Sequence, residues 1–251
     1  MPETPAIDAR TRLGAVHVTV ADLERSIRFY ERSIGLALIE EGPGRAALGA
    51  DGDPLVVLLE EPGARPVPGS TGLFHMALRV PSRGDLAAWL VHAARTRVPL
   101  AGMADHFVSE AIYLQDPDDH GIEVYCDRPR PQWEGQVARM TTESLNLGSL
   151  LGELDDPENA PFDGLPAGTD MGHVHLRVGD VEEAVRFYRD ALGFELMARY
   201  GAQAAFLAAG GYHHHVGVNS WQSHGGAAAP PGSAALRLAT IVLPDAAARD
   251  R

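Results

Sequence analysis

Cysteine is almost absent from this chain: of 251 residues, only Cys126 is one. A single thiol rules out an internal disulfide framework and fits a reducing cytoplasm. Long apolar runs are missing too. No stretch approaches the roughly 20 apolar residues that cross a bilayer as a helix. The start, Met1-Pro2-Glu3-Thr4-Pro5, has neither the basic nor the apolar segment of a signal peptide. The chain is therefore expected to be soluble and cytoplasmic, with no membrane partner. Positive charge is the third shortage, since 21 Lys+Arg against 34 Asp+Glu give a formal net charge of −13. Nucleic acid and anionic membranes both reward a basic patch, so neither is an expected partner. The acidic groups are spread along the chain and read as a solvated surface. What is plentiful is core-forming and turn-forming material: 45% hydrophobic residues, 27 glycines and 18 prolines. At this length that suffices for one large domain or two ordinary ones.

Residues 1–12 read as a poorly ordered tail. Ala15–Val20 then reads as a strand, with β-branched residues around His17. Asp22 can cap a helix in which Leu23, Ile27, Tyr30 and Ile34 fall at helical spacing, and Gly35 ends it. Strands near Arg45–Leu48 and Leu55–Glu60 turn through Asp51-Gly52. The same grammar returns downstream. Gly172–Val178 matches the first strand, Asp180 matches Asp22, Ala184-Val185-Arg186-Phe187-Tyr188 matches Ser26-Ile27-Arg28-Phe29-Tyr30, and Leu192-Gly193-Phe194 matches Ile34-Gly35-Leu36. Ala204–Ala208 and His213–Asn219 complete the copy as strands. Agreement over so many aligned positions marks an internal repeat.

A second kind of unit follows each copy. Residues 72–126 give a strand (Phe74–Val80), a helix (Asp85–Thr96) and three strands, and residues 235–251 begin the same way at Leu236–Pro244. The expected organisation is a first pair of units over 13–126 (13–67 and 72–126), a linker over 127–168, and a second pair over 171–251. That second pair has a third unit at 171–221 and an incomplete fourth at 235–251. The linker is rich in Pro, Asp and Gly, with a short helix expected within Thr142–Leu154. The fold class is α+β: tandem βαβββ modules forming cupped half-barrel sheets, with the fourth module truncated. A missing half-unit exposes sheet edges, which a homodimer partner would cover.

The repeated strand–Asp–helix–Phe-Tyr–Gly pattern resembles the vicinal oxygen chelate superfamily, which includes glyoxalase I, extradiol ring-cleaving dioxygenases and fosfomycin or bleomycin resistance proteins. The resemblance covers residues 13–126 and 171–251. Within it His106, Ile112-Tyr113, Asp116-Pro117 and Glu123 are spaced as in the extradiol signature of the catechol 2,3-dioxygenase type. Ala104 and Asp119 depart from that signature at turn positions, where Gly or Thr and Gly respectively are usual. The resemblance implies an Fe(II) centre, with Mn(II) as an alternative, acting on a small aromatic diol and O₂ in aromatic compound catabolism.

Two neutral imidazoles and one carboxylate on one face of an ion leave the other face open for substrate and O₂. His75 and Glu123 lie on the first and last strands of one unit and are the first two expected metal ligands. The third comes from the first strand of a partner unit, either His175 or His17. Extradiol enzymes resembling this chain carry a further histidine on the last strand of the unit that bears the first ligand. His213-His214-His215 stands there in the third unit, whereas Pro54-Leu55-Val56 stands there in the first. That favours pairing of the second with the third unit and His175 as ligand, with His17 as the alternative. His173 would share the face of His175 but lie nearer the strand start. Among the three consecutive histidines, strand alternation puts His213 and His215 opposite His214. The resemblance gives His214 the acid–base role, with His106 and Tyr113 hydrogen-bonding the bound diolate. His92, His120 and His224 have no partner pattern and are expected at the surface. Two other readings stay open: a glyoxalase-like metal-dependent lyase or isomerase, for which carboxylates would be expected in two ligand positions, and a metal-free small-molecule binding protein of the bleomycin-resistance type.

Overall fold

The computed structural model describes residues 5–249, so Met1–Thr4 of the expected tail and Asp250–Arg251 of the fourth unit lie outside the described residues. Unit one contains β1 (Arg12–Val20), α1 (Leu23–Phe29), β2 (Ala37–Gly42), β3 (Arg45–Gly49) and β4 (Pro54–Glu60). The Asp22 side chain accepts the Arg25 N–H and so caps α1. A wider π-helical turn at Tyr30–Ile34 follows, ending at Gly35 with φ 89°. A side chain at Gly35 would collide with the Phe162 ring as well as strain the backbone, so glycine is required twice over.

Unit two contains β5 (Gly72–Arg79), α2 (Arg83–Thr96), β6 (Leu100–Asp105), β7 (Ser109–Gln115) and β8 (Gly121–Asp127). Ser82 caps α2, which starts two residues earlier than the sequence pattern indicates. After a short helix α3 (Leu147–Leu151), unit three contains β9 (Asp170–Arg177), α4 (Val181–Arg186), β10 (Glu195–Tyr200), β11 (Ala204–Ala208) and β12 (Val216–Asn219). Then come β13 (Leu236–Val242) and α5 (Ala246–Arg249). The edge strands β2 and β10 escape the sequence reading because β2 is exposed along most of its length and carries no buried alternation.

In every unit the first strand runs parallel to the last, which brings residues 40 to 46 positions apart into neighbouring rows, as in Val16 with Val56 and Met76 with Ile122. The first strands then pair with one another. Joining β5 to β9 antiparallel builds one eight-stranded sheet, β10-β11-β12-β9-β5-β8-β7-β6. Joining β1 to β13 builds a five-stranded sheet, β13-β1-β4-β3-β2. The sheets thus cut across the sequential division at 127–168: unit two pairs with unit three, and unit one with β13. Met76, Leu78 and Val174 turn from the seam into the main core, where Leu86, Trp89 and Leu90 of α2 also lie. His75 and Ala77 alternate with them and face the opposite way.

Three expectations are corrected. Residues 5–11 are not a loose tail, because the Ile7 N–H donates to the Gly193 carbonyl and Thr11 is buried. The segment 127–168 is packed rather than free, with Trp133, Val137, Leu145, Leu150, Ala160 and Leu165 buried. His120 is buried, not at the surface, and its Nε2 lies 2.8 Å from the Thr19 carbonyl. By contrast, His224 is exposed, and His92 is half-buried and stacked on Phe162 at 4.1 Å. No helix among the described residues is long and apolar enough to cross a membrane.

Candidate metal centre

The seam between β5 and β9 sets the site. Ala77 is paired with Glu123 on its β8 side and with His173 on its β9 side. Those two side chains therefore stand at the same level across a methyl group, and His75 reaches them from one step along β5. Three donor atoms converge: His75 Nε2 and Glu123 Oε2 at 3.0 Å, His173 Nε2 and Glu123 Oε2 at 3.2 Å, and the two Nε2 atoms at 3.3 Å. All three residues are buried. Donors about 2.1 Å from a common ion lie about 3.0 Å apart at right angles and about 3.4 Å apart at tetrahedral angles. The observed triangle falls between these, so the cluster is already shaped for one small divalent ion with part of its coordination sphere open.

Electrostatics agree with the geometry. Burial by itself would raise the Glu123 carboxyl, but the His173 and His75 imidazoles outweigh it and hold the group well below the usual carboxylate range. Burial pushes His173 down to about 4, against the pull of Glu123. At neutral pH Glu123 is a carboxylate and His173 a neutral imidazole, the forms in which each binds a metal.

His175, expected as the third ligand, is not in this triangle. Its Nε2 is 3.0 Å from the Asn219 side-chain amide, and its ring packs edge-on to His75 at 5.0 Å. Gly217 lies against it, and a Cβ there would meet the ring at 3.0 Å. His17, the alternative, sits in the other sheet between Val57 and Leu238. The face-sharing residue two positions earlier, His173, takes the place expected of His175. The sequence placed both on one face of the strand but could not say which one the register sets level with Glu123.

His106 and Tyr113 are linked. The His106 ring has Nδ1 2.7 Å from the Thr141 carbonyl and Nε2 2.6 Å from the Tyr113 hydroxyl. A carbonyl only accepts, so Nδ1 carries the proton and, in the neutral ring, Nε2 accepts from Tyr113. Burial, helped by the Glu123 charge, raises Tyr113 well above the usual phenol value and keeps its hydroxyl protonated. Asp116 of the signature holds the backbone. Its Oδ1 accepts the N–H groups of Asp118 and His120 and its Oδ2 the Tyr30 hydroxyl, which fixes the β7–β8 turn to unit one. Asp119, a departure from the signature, has φ 65°, a left-handed conformation that explains why glycine is usual there.

His213, His214 and His215 precede β12 rather than lying on it, so strand alternation does not govern them. All three are buried. His215 Nδ1 accepts the Ala209 N–H at 3.1 Å, while His214 lies 4.1 Å, ring to ring, from His173. His214 borders a cavity of about 480 Å³ whose lining includes the metal triangle, His106, Tyr113 and His175. Apolar walls come from Phe74, Val108, Met140, Phe206 and Trp221. Met140 and Thr141 belong to the segment read as a linker, and with Phe206 and Trp221 they are site residues without a signal in the sequence pattern.

The family model described as the Glyoxalase/Bleomycin resistance protein/Dioxygenase superfamily matches residues 12–124 and 170–245. A catechol-2,3-dioxygenase of Bacillus subtilis (strain 168) is 40% identical over 247 residues, covering 95% of this chain and 85% of that protein. An iron-dependent extradiol dioxygenase of Rhodococcus jostii (strain RHA1) is 26% identical over 143 residues, 52% of this chain and 48% of that one. The crystal structure of glyoxalase I from Zea mays superposes with a TM-score of 0.56 at 18% identity, covering 96% of this chain and 77% of that one, which is a likeness of fold alone. The chain belongs to the Glyoxalase/Bleomycin resistance protein/Dioxygenase superfamily. Within it, the chain is an enzyme of the dioxygenase kind, resembling the catechol-2,3-dioxygenases.

Proposed function

We propose that the chain is an Fe(II)-dependent extradiol dioxygenase that opens the ring of a catechol-like diol beside its two hydroxyls. The observation that carries this reading is the convergence of His75 Nε2, His173 Nε2 and Glu123 Oε2 in the lining of a cavity that His106, Tyr113 and His214 also border. Those three residues would hold the iron. When bound, Fe(II) would supply redox and Lewis-acid chemistry for the reaction of the diol with O₂.

The protein's own groups supply the rest. His214, neutral and at the cavity wall, takes a proton from one diol hydroxyl and returns it to the opening product. Tyr113, kept protonated, has one hydroxyl proton, which rests on His106 Nε2 and would turn to a diol oxygen where charge develops. The apolar side chains exclude water from the charged intermediates. No arginine or lysine is among the lining residues, so the favoured substrate is an uncharged diol bearing apolar substituents rather than a carboxylated one.

The test is anaerobic reconstitution with Fe(II), followed by catechol or 4-methylcatechol in air while the yellow ring-opened product is followed by absorbance. A carboxylated catechol run alongside should turn over at least about tenfold less efficiently, the cost of burying an unpaired charge. A protein that binds no metal and yields no product from any of these diols is not a dioxygenase of this type.

A further inference from the structure

Behind His214 lies a chain of hydrogen bonds that metal binding does not need. His213 is fully buried, with Nε2 2.7 Å from Asp127 Oδ1 and Nδ1 2.8 Å from His214 Nδ1. The other oxygen of Asp127 is held by Arg79 Nη1 at 3.0 Å, and the Tyr212 hydroxyl lies 3.0 Å from it as well. With both imidazoles neutral, one arrangement of protons satisfies these contacts. A carboxylate paired with a guanidinium can only accept, so His213 Nε2 must donate to Asp127. In the neutral ring His213 Nδ1 is then an acceptor, and the proton between the two imidazoles belongs to His214 Nδ1. That leaves His214 Nε2 as a bare lone pair.

We infer that Asp127 and His213 are positioning residues: their two successive hydrogen bonds lock the His214 ring in the tautomer whose unprotonated Nε2 serves the cavity. The inference rests on the reading of His214 as the base. In the reaction, a diol O–H bond breaks and an N–H bond forms at Nε2, with the electron pair staying on the diol oxygen. The positive charge gained by His214 is met by the His213 Nδ1 lone pair and, through that ring, by the Asp127 carboxylate, which stays ionised. No proton has to travel along the chain. The Arg79 contact gives the arrangement its direction, because it claims one Asp127 oxygen and leaves the other for His213.

The variant Asp127→Asn tests this through the same contacts. Arg79 requires an acceptor, so the new amide would turn its oxygen to Arg79 and its NH₂ to His213 Nε2. His213 would then be protonated at Nδ1, and His214 forced to carry its proton on Nε2, where it is useless as a base. Long-range ¹H–¹⁵N spectra of the full chain, labelled at histidine and free of paramagnetic iron, read these tautomers directly. The expected result is Nδ1–H for His214 in the unmodified chain and Nε2–H in Asp127→Asn. With Fe(II) restored and catechol as probe, the variant should lose about 100-fold or more in kcat, with KM within about threefold and bound iron unchanged.

Should Asp127→Asn fold poorly, His213→Asn and His213→Leu provide a second comparison. An asparagine oxygen can take the place of the Nδ1 acceptor and keep kcat within about tenfold, whereas leucine removes the acceptor and frees the His214 tautomer. Nε2–H on His214 in the unmodified chain, or equal kcat for the Asn and Leu variants, overturns the proposal. If the tautomers respond as described but the iron-loaded unmodified chain opens no catechol, the control of His214 stands and the ring-cleavage reading falls.

Discussion

His173 and His175 differ by two positions, share a face of β9, and meet different fates. Sequence spacing establishes the shared face, because side chains two apart on a strand point the same way. Register decides the rest: His175 is opposite His75, whereas His173 is opposite Ala77, which is itself opposite Glu123. No single sequence contains that pairing, so His75 and Glu123 could be read in advance and their partner could not. The consequence is measurable as metal content after dialysis. His173→Ala and Glu123→Ala should lose essentially all bound metal, while His175→Ala should keep most of it; the reverse order for the two histidines would refute the triangle. A second residue-scale expectation concerns acid. Burial pushes His215 down to about 4 from an ordinary 6.5, so the folded chain binds fewer protons than the unfolded chain between those values. Stability from this group is complete above pH 6.5 and is lost as the pH falls toward 4, by about 3 kcal/mol at most. His173 is displaced in the same direction. Urea midpoints of the metal-free chain should therefore fall steadily between pH 7 and pH 4.5, and a flat profile would contradict the assignment.

Among the elements, the βαβββ units were readable because their helices carry caps and apolar spacing. Asp22 and Asp180 both accept the N–H three residues on, as the repeat implies. The segment 127–168 was misread for a physical reason. Pro, Gly and Asp report how freely a backbone can turn, not what its few large side chains touch. Trp133 is 1% exposed, its indole N–H donates to the Arg128 carbonyl, and its ring lies 5.5 Å from that of His213. This strap also gives His106 its carbonyl partner at Thr141. Trp133→Ala should cost about 3 to 5 kcal/mol of stability, read from urea unfolding. If the loss were below about 1 kcal/mol, the strap would be an ornament of the fold rather than a wall of it.

For the molecule as a whole, the acidic balance foretold nothing about the site, which gathers seven of the eleven histidines around one seam: His75, His106, His173, His175, His213, His214 and His215. The repeat announced the architecture, and the parallel pairing of first and last strands in each unit follows from it. What no repeat dictates is that first strands join across the chain, β5 to β9 and β1 to β13. Each half of the polypeptide, before and after residues 127–168, therefore holds the other along two separate antiparallel ladders. A protease nick in the exposed stretch Asp155-Asp156 should leave two fragments that co-migrate under native conditions and separate only in denaturant. Metal bound by the proposed ligands, His75 and Glu123 on one fragment and His173 on the other, would raise the denaturant needed. Refolding of the nicked pair would become second order, its rate rising with protein concentration, whereas that of the intact chain would not. The seam that builds the site would thus also make the polypeptide a heterodimer in waiting, needing only one broken peptide bond to reveal it.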